Sequence, residues 1–255
     1  MQLTVTGLRV SGQQSAEARS AETPLAPLRL ATGECVLMAG APGPGHTALA
    51  LTVSGRHPEP TGTVELVDED GTTTTSVGRL RRVTALVDAP GALQGTDVPR
   101  VLDVVAAALA QARRPSHAGA SVRWLAARGL EDRRHDRLDA LYGPDRTGML
   151  TLLAAERPEV RFLVLALPDR HGGDPAHWWS LAQTLGHLGF GVLVACLWTT
   201  ARELGAEPAP YRPDAVPSLA VALRLRPSSP GPGFLGQLPR HALDEAPSRR
   251  LPPAQ

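Results

Sequence analysis

The stretch Gly40-Ala41-Pro42-Gly43-Pro44-Gly45-His46-Thr47 decides how this sequence folds. It follows the apolar run at residues 35–39, which predicts a strand, and it precedes residues 48–53, which predict a helix. A glycine-rich turn between a strand and a helix gathers backbone N–H groups that can cradle phosphate. The stretch therefore predicts a phosphate-binding loop, although glycine and proline alone are equally typical of a loop without a ligand.

Strands and helices alternate outward from this loop. Apolar or alternating runs predict strands at residues 3–10, 28–30, 63–67, 83–87, 162–167, 191–197 and 218–225. Helical patterns occur at residues 101–112, 122–128 and 175–188. Alternation of this kind predicts an α/β fold of the P-loop NTPase type, with a mainly parallel sheet and an antiparallel β edge. We expect one domain at residues 1–226, with a helical subdomain at about 98–140, and a disordered Pro-rich tail at 227–255.

The composition excludes several classes of function. Net charge is +1, so there is no electrostatic pull toward nucleic acid. All 26 basic residues are arginine, so no site can use a lysine. Cys35 and Cys196 lie in apolar runs and are expected to be buried free thiols. The sequence shows neither a signal peptide nor a membrane span, which predicts a cytoplasmic protein or one peripheral at the inner face of the membrane.

Several sequence segments of the chain resemble segments of the ATP-binding cassette (ABC) transporter ATPase family and occur in the same order as in that family. The resemblance covers roughly residues 3–200. Besides the loop, the segments that carry the resemblance are residues 30–36, 53–55, 60–64, 125–133, 141–146, 162–168, 174–175 and 192–195. Each segment alone is weak evidence, but the shared order of all the segments supports the family's fold. The resemblance also implies ATP and Mg²⁺ as ligands.

The loop keeps part of the family's nucleotide-binding pattern. Gly40, Gly43, Gly45 and Thr47 match it. His46 stands where the family has the lysine that neutralises the terminal phosphates, and it is mostly neutral near pH 7. The neighbouring Pro44 has no N–H to donate to a phosphate. We therefore expect ATP binding to be weak or absent.

The positions that support hydrolysis depart further from the pattern. The family's magnesium-binding aspartate and catalytic glutamate align with Ala166 and Leu167. Its loop glutamine aligns with Asp88, and its switch histidine aligns with Leu197. Asp169 lies close by, but it follows a proline and is expected to point elsewhere. The resemblance therefore implies little hydrolysis.

The segment aligned with the family's signature motif retains Leu141 and Gly143 and changes the rest. Tyr142, Pro144 and Asp145 replace its serine, glycine and glutamine. In this family two cassettes pair head to tail, and each signature serves the partner's nucleotide. Asp145 would place negative charge near the γ-phosphate of the partner's nucleotide. The chain is therefore also expected to contribute poorly to the catalytic site of a partner cassette.

Three interpretations remain open from the sequence. The first is an ABC ATPase-like subunit that works with a membrane transporter subunit or a second cassette, as a homodimer or a heterodimer, with impaired nucleotide binding. The second is a pseudo-ATPase scaffold that assembles without nucleotide. The third is an ATPase that uses His46 as the phosphate cation and an acid from Asp88 or Asp169.

Two further features are open to more than one interpretation. His171 and His177 have a spacing that matches no zinc motif. Of the adjacent Trp178 and Trp179, we expect one to pack in the core and the other to be exposed or at an interface.

Overall fold

The computed structural model describes residues 1–10, 23–24, 27–58, 62–90, 98–206 and 219–225. Its strands are β1 (Gln2–Thr6), β2 (Arg9–Val10), β3 (Thr23–Pro24), β4 (Leu28–Ala31), β5 (Cys35–Gly40), β6 (Thr63–Val67), β7 (Thr73–Thr74), β8 (Thr84–Val87), β9 (Phe162–Ala166), β10 (Gly191–Leu197) and β11 (Ala220–Leu225). Its α-helices are α1 (Gly45–Val53), α2 (Val77–Val83), α3 (Val101–Gln111), α4 (Ala118–Ala126), α5 (Gly143–Ala155), α6 (Pro175–His187) and α7 (Trp198–Glu203). Short 3-10 helices lie at Glu131–Arg133, Leu138–Ala140 and Pro168–His171.

The predicted α/β architecture is confirmed. The central sheet has the order β11-β5-β10-β9-β8, in which β5, β10, β9 and β8 run parallel and β11 pairs antiparallel with β5. A separate antiparallel sheet has the order β4-β1-β6-β7. Strands β5 and β9 are buried along their whole length, as their continuous apolar sequences require.

The two faces of the central sheet carry two hydrophobic clusters. Because side chains alternate along a strand, Cys35 and Leu37 of β5 join one cluster and Val36 and Met38 join the other. The first cluster contains the buried faces of α3, α4, α5 and α6. The second contains α1 and the apolar face of the antiparallel sheet. The central sheet is therefore covered on both sides, and the loops that connect its strands to the helices lie at its edges.

Several local predictions differ from the structure. The predicted strand 3–10 is interrupted at Gly7, which has φ +66°, so β2 leaves the antiparallel sheet and pairs with β3. The helix predicted at residues 122–128 begins earlier, since α4 spans Ala118–Ala126. Helices α2, α5 and α7 were not predicted. Their apolar residues do not repeat with a clear helical period, because tertiary contacts determine which positions are apolar. The predicted tail at residues 227–255 lies outside the described residues.

The expectation that one of two adjacent tryptophans is exposed was wrong. Trp178 and Trp179 are 2% and 6% exposed, and their rings meet edge to face with centroids 6.5 Å apart. Successive residues on a helix differ by about 100°, yet both are covered because α6 lies between β10 and α5. Among the described residues, no helix is long and apolar enough to cross a membrane.

Candidate functional site

The parallel strands bring the predicted site residues to one edge of the central sheet. The loop after β5, Asp88 after β8, Leu167 after β9 and Leu197 at the end of β10 all lie at the carboxyl ends of these strands. Ligands of open α/β sheets bind at this edge. The topology therefore assembles the candidate site, and side-chain contacts decide what it can bind.

His46 lies in the first turn of α1 and points into the protein. It is 1% exposed, and its Nε2 lies 2.9 Å from the carbonyl oxygen of Cys196 in β10. This distance places the proton on Nε2, while Nδ1 lies 3.5 Å from the carbonyl oxygen of Gly43. Burial lowers the pKa of His46 and outweighs the two carbonyl contacts, which act in the opposite direction. The ring is therefore neutral at pH 7.

The rest of the loop lies close around this ring. Gly40 ends β5, and a Cβ there would stand 2.9 Å from Cδ2 of Leu219 and 3.2 Å from Nε2 of His46. Leu219 precedes β11 and is 4% exposed. Gly45 is buried, whereas Gly43 and Thr47 are half-buried. Pro44 adopts a helical conformation as the N-cap of α1 and makes no side-chain cap.

Asp88 lies at the centre of a cluster formed by two arginines and one histidine. Arg146 of α5 donates Nε–H and Nη2–H to its two carboxylate oxygens, each at 2.8 Å. Nη2 of Arg170 lies 3.0 Å from Oδ1, and Nε2 of His171 lies 2.7 Å from Oδ2. The side chains of Asp88 and Arg146 are 7% and 6% exposed. Arg146 also donates to the carbonyl oxygen of Leu138, at 3.1 Å.

The environment of Asp88 keeps its carboxylate ionised. Burial alone would raise the pKa of Asp88, but hydrogen bonds from Arg146 and His171 and the charge of Arg170 outweigh it. Together they hold that pKa well below its usual range. Asp88 has φ +46°, a left-handed conformation that aspartate tolerates better than most residues. The carboxylate that aligns with the family's loop glutamine therefore already holds several protein cations.

The segment after β9 directs Asp169 toward β10. Leu167 is left-handed, with φ +52°, and its N–H donates to the carbonyl oxygen of Ala195. Oδ2 of Asp169 accepts hydrogen bonds from the Leu197 N–H at 2.8 Å and from Thr200 Oγ1 at 2.9 Å. Its Oδ1 is buried and has no hydrogen-bond partner among the described residues. Asp169 thus fixes the start of α7.

The signature-like segment forms the first turn of α5. Gly143 packs so tightly that a Cβ there would overlap the carbonyl oxygens of His171 and Gly172. Leu141 is buried, while Tyr142 is 57% exposed. Gly143 is therefore required for α5 to lie against the loop after β9, whatever its role toward a ligand.

This packing makes Gly143 sensitive to substitution. Gly143→Ala is expected to lower the free energy of unfolding by about 1–3 kcal/mol, because backbone atoms cannot move aside for the new methyl group. Gly148→Ala on the same helix is the matched control. A Cβ at Gly148 meets only Leu181 Cδ2 at 4.0 Å, so this change should stabilise α5. Urea denaturation of both variants tests the difference, and equal stabilities would contradict it.

The sequence anticipated only part of this site. The resemblance singles out the loop, Asp88, Ala166, Leu167 and Leu197, but it gives no signal for a contact of Arg146 or Arg170 with Asp88. His171, whose spacing from His177 matches no zinc motif, lies against Asp88. Among the described residues, no group of three or more His, Cys, Asp or Glu side chains could hold a metal ion. At this edge Ala166 and Leu167 carry no carboxylate, and the carboxylate of Asp88 is engaged by Arg146 and Arg170.

The fold is that of ATP-binding subunits of ABC transporters. A metal-chelate-type ABC transporter in an inward-facing conformation matches with TM-score 0.52 and 17% identity, over 79% of this chain and 75% of that one. An ABC transporter ATP-binding protein from Pyrococcus furiosus matches with TM-score 0.54 and 13% identity, over 83% and 94%. The cbiO1 protein from Clostridium perfringens, part of the complex cbiONQ, matches with TM-score 0.50 and 18% identity, over 76% and 78%. No family model matches the sequence, and no curated protein matches it.

Proposed function

We propose that the chain is an ABC ATP-binding-subunit-like protein that binds nucleotide weakly or not at all and hydrolyses little. It would act beside a membrane transporter subunit or a second cassette, in the cytoplasm at the inner face of the membrane. The observation that carries the proposal is the inward position of His46. The residue that replaces the family's phosphate-binding lysine is buried, neutral and bonded to the backbone of β10.

The acidic residues of the site support the same proposal. A magnesium ion at Asp88 would have to compete with Arg146, Arg170 and His171 for the same two oxygens. Oδ2 of Asp169 accepts hydrogen bonds from the Leu197 N–H and from Thr200 Oγ1. Asp88 is engaged at both oxygens, and Asp169 is held toward β10 and α7 through Oδ2, so the ATPase that uses one of these acids is disfavoured.

The exposed start of α5 supports pairing with a partner. Tyr142 is one of the few large hydrophobic side chains that are exposed among the described residues. It occupies the segment that, in the family, faces a second cassette. A partner that covers Tyr142 would bury an aromatic ring, which interfaces favour.

Calorimetric titration with ATP–Mg²⁺ tests the proposal. We expect no saturable heat below about 1 mM ATP, because binding weaker than that contributes less than about 4 kcal/mol. Tight binding, with turnover that Thr47→Ala abolishes, would contradict the proposal. Thermal unfolding of the wild-type chain and of Thr47→Ala, each with and without ATP–Mg²⁺, provides an independent measure of binding.

Restoration of the family's residues tests how far the site has changed. In the triple variant His46→Lys, Ala166→Asp, Leu167→Glu, we expect less than a tenfold gain in affinity, since Asp88 stays paired with its cations. A gain of a hundredfold or more would indicate that only these residues had been lost. The single variant His46→Lys is the control, because it separates the loop from the acidic positions.

The second candidate function is a scaffold that assembles without nucleotide. The buried ion cluster at Asp88 favours it, because the cluster holds the loop after β8, α5 and the loop after β9 together without a ligand. A complex recovered from cell extracts that is equally stable with and without ATP would support the scaffold. Loss of the complex on removal of ATP would contradict it.

A further inference from the structure

A cavity of about 310 Å³ follows the outer edge of β8. In the described part of the chain β8 is an end strand of the central sheet, so its outer side faces no other strand. Ala85, Leu86 and Val87 of β8 line the cavity, together with side chains of α3 and α5. None of residues 40–47 lines it, so it is separate from the loop after β5. A partly enclosed cleft with apolar walls and a few polar groups is the usual form of a small-molecule site.

Two arginine side chains line the end of this cavity at which β8 begins. Nη1 of Arg56 lies 3.2 Å from the carbonyl oxygen of Thr84, the first residue of β8. Arg157 lies between α5 and β9, in a segment whose Arg161 N–H donates to the carbonyl oxygen of Val83 at 2.8 Å. The cavity therefore has two cationic groups at one end.

Neither of these arginines is neutralised by the protein. In the part of the chain that the structure describes, neither side chain forms an ion pair with a carboxylate. Burial lowers the pKa of Arg56, and the charges of Arg157 and Arg81 lower it further. Because burial and like charge both oppose a protonated guanidinium, a bound anion would stabilise this end of the cavity.

Both guanidinium groups keep N–H donors for such an anion. Arg56 is half-buried, and three backbone carbonyl oxygens accept hydrogen bonds from its Nη1 and Nη2 and hold the group in place. Its Nε–H has no acceptor among the described residues and remains accessible to solvent. Arg157 is also half-buried, and its guanidinium makes no hydrogen bond within the same residues and remains accessible. Arginine donors can bind a carboxylate through two parallel hydrogen bonds.

The acidic residue Asp88 lines the opposite end of the cavity, after the last residue of β8. Its carboxylate is already engaged by Arg146 and Arg170. It therefore does not compensate the charges of Arg56 and Arg157, which lie at the start of the strand. An anion is favoured at that end of the cavity alone.

The walls between the two ends restrict the rest of the ligand. Val104 and Ala108 of α3 and Leu150 of α5 present apolar side chains there. A cavity of about 150 Å³ accommodates benzene, and this one is roughly twice as large. We infer that the cavity binds a small organic carboxylate with a single ring or a short aliphatic chain, its carboxylate held by Arg56 and Arg157. The site does not involve nucleotide and goes beyond the proposed function.

Binding of two fluorinated probes tests the inference by ¹⁹F NMR. 4-Fluorophenylacetate carries a carboxylate, and 4-fluorophenylacetamide is a neutral molecule of nearly the same shape. We expect the wild-type chain to bind the carboxylate about ten- to a hundredfold more tightly, the range for hydrogen bonds to charged groups. Arg157→Gln should remove most of this preference and leave binding of the amide largely unchanged. Arg202→Gln removes the same charge at an exposed position of α7 outside the cavity and should preserve the preference.

Two substitutions in α3 test the location of the site. Ala108→Phe should fill the cavity and abolish binding of both probes. Ala107→Phe, at the adjacent exposed position that does not line the cavity, should leave the affinities unchanged. Circular dichroism of each variant confirms that it remains folded. Absence of saturable binding of the carboxylate to the wild-type chain would overturn the inference. A preference for the carboxylate that survives Arg157→Gln, or binding that survives Ala108→Phe, would overturn it as well.

Discussion

Asp88→Asn is expected to lower the free energy of unfolding by about 3–5 kcal/mol, the range for breaking a buried ion pair. Asparagine keeps the size of the side chain and tolerates the left-handed backbone at this position, so the substitution removes mainly the charge. Without that charge, the guanidinium of Arg146, which is 6% exposed, loses the carboxylate that it grips with two hydrogen bonds. Urea denaturation measures the change.

The same variant has a predicted dependence on pH. The folded-state pKa of Asp88 is depressed, so its contribution to stability is complete above the unfolded value of about 3.9 and is lost as the pH falls through the folded value. The stability difference between wild type and Asp88→Asn should therefore shrink as the pH falls below about pH 4. A difference that grows below about pH 4 would contradict this assignment.

Two further variants isolate the cause. Asp139→Asn is the matched control, since Asp139 pairs with Arg137 at the surface and its loss should leave stability unchanged within error. Arg146→Met tests the coupling. The double variant Asp88→Asn, Arg146→Met should be less destabilised than the sum of the single variants, because it leaves no uncompensated charge from this pair. Additive effects would show that the two side chains act independently.

Glu156→Gln is the second substitution with a large expected effect, about 3 kcal/mol. Glu156 lies at the C-terminal end of α5 and is 2% exposed. It accepts a hydrogen bond from Trp124 Nε1 at 2.9 Å and lies 3.5 Å from Arg128 and 3.2 Å from Arg114. It thus ties α4 and the end of α3 to α5. Glutamine retains the acceptor for Trp124 but removes the charge that faces two guanidinium groups.

The environment of Arg128 explains why this loss is large. Burial lowers the pKa of Arg128 to about 10, so it remains protonated at neutral pH and needs a nearby negative charge. Its guanidinium also lies over the Trp124 ring, 3.7 Å from the centroid. Glu159→Gln is the control, because the pair with Arg113 at 3.8 Å is much more exposed and should contribute less than about 0.5 kcal/mol. Equal losses for both glutamates in urea denaturation would contradict the assignment.

The sequence predicted the layers of the fold because hydrophobic patterns report burial directly. The apolar run at 162–167 predicted β9, which ends one residue earlier because Leu167 turns into a left-handed conformation. The alternating run at 218–225 predicted β11, but its antiparallel pairing with β5 was open until the structure placed it. Helix α5 was not predicted, since the face that it buries includes polar and small residues such as Arg146, Thr147 and Thr151.

By itself, the sequence determined which chemistry the candidate site lacks. A chain without lysine cannot place one in the loop, and Ala166 and Leu167 cannot supply a carboxylate, whatever the fold. Only the tertiary structure decided what the remaining groups do. Asp88 and Arg146 are 58 residues apart, and they meet because α5 packs against β8. His46 reaches the backbone of Cys196, 150 residues away, because β5 and β10 are neighbours in the sheet. Residue types fix which groups a chain can offer, whereas strand order and helix packing fix which of them meet.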